Sequence, residues 1–176
     1  GNITMCIGGN QNSTGRTNST DKINRVASPH YTNAEEPVAI YSSYNVSNQN
    51  VISYGGGSSQ TNAVTKHSFY TAANTTTTTG TERVTITSAG DVGIGDATPD
   101  QKLHITDNTH PYIRTTLNDT TVTAGNVFGA WEFESLDSST GSSGVIGKID
   151  CVASANLDGT AANGSQLRFY TSGTNS

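Results

Sequence analysis

The chain has 176 residues, of which 32% are hydrophobic and 13% charged, with 19 glycines and a formal net charge of -5. That is too little apolar content for the thick core of an ordinary globular domain, and too little charge for a typical disordered chain. The mild acidity, with no block of Lys or Arg, argues against a nucleic-acid partner, and no run approaches the roughly 20 apolar residues of a membrane-spanning helix.

The polarity is carried by Thr, Ser, Asn and Gly. Thr suits a pleated strand through its branched Cβ, whereas Asn and Gly suit turns because they tolerate positive φ. The mixture predicts an all-β fold of short antiparallel strands, in which something other than a monomeric core supplies stability.

In chain order, residues 1–51 form an N-terminal β segment. Its opening, Gly1-Asn2-Ile3-Thr4, has neither an initiator Met nor the regions of a signal peptide, so the chain reads as a fragment. Asp21 to Ala27, behind Ser19 and Thr20, is the best helical stretch and predicts one or two turns. The loop Pro29-His30-Tyr31-Thr32-Asn33 is polar and aromatic, a composition that can stack on a sugar ring.

Residues 52–98 make the end of a first unit, 99–124 a connector, and 125–176 a second, truncated unit. The division rests on a repeat. His67-Ser68-Phe69-Tyr70-Thr71-Ala72 recurs one hundred residues later as Leu167-Arg168-Phe169-Tyr170-Thr171-Ser172, with a Gly- or Asn-rich approach before each copy.

In the second unit, alternation predicts a half-buried strand over 126–136, with Val127, Gly129, Trp131 and Phe133 on one face and Phe128, Glu132 and Glu134 on the other. After a turn at 137–144, a strand over 145–153 alternates Val145, Gly147, Ile149 and Cys151 against Ile146, Lys148, Asp150 and Val152. A loop at 156–164 leads to a third strand over 166–171. Three such strands make an antiparallel meander with two open edges and one apolar face.

The first unit ends on Glu82-Arg83-Val84-Thr85-Ile86-Thr87-Ser88-Ala89-Gly90-Asp91-Val92-Gly93-Ile94-Gly95, followed by Thr98-Pro99 and, in the connector, Lys102-Leu103-His104-Ile105. Val84 and Ile86 alternate with Thr85 and Thr87, a turn at Gly90 and Asp91 reverses the chain, and Val92 and Ile94 form the return strand. Gly93 and Gly95 fall where nothing larger fits. Three chains meeting at an axis, or a bulge or tight bend within one chain, both account for that.

The segment resembles a module of bacteriophage tail fibres and related fibrous surface proteins: Glu-Arg-hydrophobic-x-Ile, a Gly-Asp turn, Val-Gly-Ile-Gly, Thr-Pro and Lys-Leu-His. The likeness runs from about residue 52 to 105 and more loosely over 125–172, where Trp131 replaces a commoner aliphatic residue; residues 1–51 match least. It implies tandem β-rich units intertwined or packed as a homotrimeric fibre, a structural segment of a virion tail appendage. Other tail or baseplate proteins, and a host-surface glycan or protein, are the partners it implies. The Ser-Lys pair of the self-cleaving chaperone domain that ends many such fibres is not in this sequence. Two alternatives stay open: a carbohydrate-recognition module contacting sugar through Trp131, Tyr31 or His30, and a subunit of an extracellular filament on a bacterial surface.

No enzymatic chemistry, cofactor or metal is expected. Glu35-Glu36 alternate across a strand, and Glu132 and Glu134 read as a solvated strand face rather than the paired carboxyls of a glycosidase. His30, His67, His104 and His110 lack ligand spacing, although a three-fold axis could gather one His from each chain. Val92-Gly93-Ile94-Gly95 lacks the third Gly and the following helix of a nucleotide loop. Cys6 and Cys151 read as free thiols or a single pair, and seven Asn-x-Ser/Thr sequons are what chance gives in so Asn-rich a chain.

Overall fold

A computed structural model describes residues 9–11, 15–137, 144–157 and 164–171. Cys6, the sequons at Asn2, Asn12 and Asn163, and the interiors of the two predicted turns of the second unit lie outside the described residues. Those described are all β, in eleven strands with no helix.

The chain divides into two units, 1–111 and 112–176. In the first, β1 (Gly9–Asn10), β2 (Lys22–Ser28), β3 (Val38–Val46) and β4 (Gln49–Tyr54) form an antiparallel sheet in sequence order. The predicted helical turn over Asp21 to Ala27 is therefore corrected to strand β2. So short a helix gains too little to offset its nucleation, whereas the same residues pair with β3 from Lys22 opposite Asn45 to Ser28 opposite Val38.

A second sheet of the first unit runs β5 (His67–Thr71), β6 (Thr81–Ile86), β7 (Val92–Ile94) and β8 (Leu103–Ile105). The expected hairpin is present, with Val84 opposite Ile94 and Ile86 opposite Val92, and β8 then pairs parallel to β7.

The second unit holds the predicted meander of β9 (Val127–Ser135), β10 (Gly144–Ala153) and β11 (Ser165–Thr171). Two irregularities correct the alternation at its ends. Phe128 is an extra residue between Gly129, opposite Cys151, and Val127, opposite Val152, so Val127 leaves the Trp131 row. Ile146 is extra in the same way, and Val145 falls opposite Glu134 rather than continuing the Gly147 row.

Each sheet is a single layer, and the core is correspondingly small. Among the described residues the buried apolar side chains are Ala39, Pro99, Val152 and Ala153, while large side chains such as Phe69, Trp131 and Phe169 are exposed. The strand over 126–136 was expected to be half buried; Trp131 and Phe133 instead stand open in the single chain.

Candidate functional site

The repeated strand builds the same two-sided arrangement in both units. In β5, Ser68 and Tyr70 turn to one face and Phe69 to the other. On the first face Glu82 accepts from Ser68 Oγ at 3.0 Å and Tyr70 OH at 3.3 Å, and Lys66 Nζ lies 2.9 Å away. The Thr85 hydroxyl also donates to Glu82, and Thr85 is fully buried. These donors hold the Glu82 carboxyl down at about 2, from an ordinary 4.5, with Thr85 contributing most, then Lys66, with Ser68 adding to them.

In β11 the corresponding Arg168 turns to a carboxylate on β10. Arg168 Nε and Nη2 donate to Asp150 Oδ1 and Oδ2, each at 2.9 Å, and Lys148 Nζ stands 2.9 Å from Oδ2. Asp150 is only 1% exposed. Its carboxyl is lowered to about 2, chiefly by Arg168 and then by Lys148. Tyr170, the counterpart of Tyr70, lies under both cations, with each 5.1 Å from the ring centroid. In these two sheets the carboxylate of the polar face is thus paired within one chain.

The opposite faces are apolar. In the second unit cross-strand pairing sets Trp131, Ile149 and Phe169 in one row, Phe133, Gly147 and Thr171 above it, and Gly129, Cys151 and Leu167 below. Phe133 leans over Gly147, where an added Cβ would come within 3.6 Å of its ring. At the lower end Thr115 closes on Gly129, so closely that no Cβ fits there. In the first unit, Phe69, Val84, Ile94 and Ile105 form the corresponding row.

The hairpin glycines have an explanation inside one chain. A Cβ on Gly93 would strike the Asp96 carbonyl oxygen, and one on Gly95 the Thr106 carbonyl oxygen. Gly95 also has φ +75°. Gly90 has open space around it but φ +79°, so the turn is what requires it. The Asp91 carboxylate accepts from Lys102 Nζ at 2.5 Å, and the Asp91 backbone N–H donates to Thr87 Oγ1 at 3.2 Å. His104 Nδ1 lies 2.9 Å from Asp96 Oδ2 without the alignment of a hydrogen bond. The Lys-Leu-His end of the module therefore clasps its own hairpin.

No family model, curated protein or solved structure matches the chain. Function has to be read from the geometry alone.

The remaining sequence candidates fall in different units. His30 and Tyr31 belong to the first unit and Trp131 to the second. His30 Nδ1 accepts from Thr32 N–H at 3.0 Å, and Tyr31 projects fully into solvent. Trp131 borders a shallow groove with Ile113, Thr115, Ile149, Cys151 and Leu167. Glu35, Glu36, Glu132 and Glu134 are exposed. Among the described residues no three metal-ligating side chains converge.

Sequence reasoning missed the two carboxylate clasps. Their signal was present: Lys148 and Asp150 share a strand face, and the repeat sets Arg168 where Ser68 stands. Missing was the cross-strand register that brings them together.

Proposed function

We propose that the chain is a structural segment of a homotrimeric phage tail fibre, or of a closely similar fibre, in which side-by-side chains supply the core that one chain lacks. The observation that carries this reading is the two-sided sheet. Its polar face is closed by Glu82 or Asp150 within the chain, while its apolar face is left uncovered. A stable domain needs a second layer on such a face.

Tandem use of the same Phe-Tyr-Thr strand supports an elongated, repeating assembly. The hairpin glycines do not bear on the three-fold axis, because contacts within one chain already demand them. Rigidity is the mechanical role of such a segment, which holds a host-binding element away from the particle.

Sedimentation equilibrium and light scattering on the intact chain test the proposal. Three chain masses that persist at micromolar concentration are expected; a single chain mass overturns it. Binding to host-surface glycans by a single-chain species would favour the carbohydrate-recognition alternative.

A further inference from the structure

We propose that the outer face of the β9–β11 sheet, centred on Trp131, Ile149 and Phe169, is the seam on which a second copy of this chain docks. The inference rests on the fibre reading and specifies which surface does the joining. Phe169 is 72% exposed, Leu167 64%, Trp131 60% and Phe133 54%.

With Ile113 at the margin, and taking roughly 200 Å² for a fully exposed large side chain, these residues present about 600 Å² of apolar surface. That is the upper end of what a monomer leaves open. Three copies that turn this face to a common axis would remove about 1,800 Å² in total, enough for a specific interface.

Three features favour a copy of this chain over another occupant. The central rows carry no charged side chain, so a like face can meet them without burying an unpaired charge. The first unit presents Phe69 on an apolar face of its own at the repeat-equivalent position, so this kind of face recurs within the chain and every copy carries it. A sugar would set its hydroxyls against Phe, Leu and Ile, with Thr115 and Thr171 as the hydroxyl partners on offer.

Trp131 is the sole tryptophan of the chain, so the native protein reports on the seam without mutation. Tryptophan emission and acrylamide quenching are measured together with sedimentation mass. An assembled protein whose emission is blue-shifted, with quenching reduced several-fold relative to the urea-unfolded chain, is expected.

As a second arm, Phe169→Arg should raise the dissociation constant of assembly at least 100-fold, while Tyr31→Arg leaves it unchanged. Circular dichroism shows whether the variant keeps its strands. An assembly in which Trp131 remains freely quenched, or which Phe169→Arg does not weaken, overturns this seam but leaves the fibre reading standing. A chain that stays monomeric overturns both.

Discussion

Ser68 and Arg168 occupy the same position of a strand used twice, and each donates to a carboxylate on a neighbouring strand: Ser68 Oγ to Glu82 at 3.0 Å, Arg168 to Asp150 through two bonds of 2.9 Å. The repeat therefore preserves a task rather than a residue. Asp150 is the more deeply placed acid, and its charge is tolerated because a planar guanidinium meets both oxygens. Arg168→Met should lower the melting temperature by several degrees, since Lys148 alone then faces the carboxylate. Arg168→Lys should recover only part of the loss, because an ammonium cannot make the two-pronged contact. Thermal melts followed by circular dichroism decide it, and equal melting temperatures for all three proteins would refute the clasp.

The two acids also set a pH dependence. Glu82 falls from an ordinary 4.5, and Asp150 from 3.8, each to about 2 in the folded chain. The unfolded chain therefore takes up these protons first as the solution is acidified. Their contribution is complete above about pH 5 and is lost as pH falls from there toward 2. Urea midpoints measured at pH 7, 4, 3 and 2 should decline most steeply below pH 4.5. In Glu82→Gln and Asp150→Asn variants the decline should be shallower, from a lower starting point.

Glycine positions in the hairpin separate by mechanism. Gly95→Ala meets both a positive φ and the Thr106 carbonyl, so a loss of about 2–4 kcal/mol is expected. Gly93→Ala has an ordinary φ but strikes the Asp96 carbonyl, and should cost about 1–3 kcal/mol. Gly90→Ala pays for backbone conformation only, about 1 kcal/mol, and Gly90→Asn less, since Asn adopts that conformation more readily. Urea unfolding of the three alanine variants should rank them in this order, and a Gly90 variant as damaged as Gly95→Ala would contradict it.

Local pattern was enough to find the meander and the hairpin. Val84 and Ile86 alternate cleanly, and Gly90 marks the turn, so the strand pairing followed from residues close together in the chain. Asp21 to Ala27 was misread as helical because the strand character of these residues comes from β3, a partner whose pairing no local window contains. Single extra residues at Phe128 and Ile146 escaped for a similar reason: a bulge depends on the opposite strand. Glycines at 93 and 95 were recognised as obligatory, yet the carbonyls that make them so come from Asp96 and Thr106, whose approach only the folded loop reveals. The clasps at Glu82 and Asp150 needed register as well as alternation.

The outer bonds of the module should matter far less than its glycines. Lys102 Nζ reaches the Ala89 carbonyl at 2.7 Å and Asp91 at 2.5 Å, yet its side chain is 78% exposed. Solvent screens such a pair, and ordering a long side chain costs entropy, so Lys102→Ala should lose no more than about 1 kcal/mol in urea unfolding. Half-molar salt should shrink the difference between Lys102→Ala and the parent chain further, because an exposed ion pair is screened at that strength. Gly95→Ala, whose penalty is steric, should keep its full deficit in the same salt. A Lys102→Ala loss that matched Gly95→Ala and ignored salt would mean that the clasp, and not close backbone packing, holds the hairpin to β8.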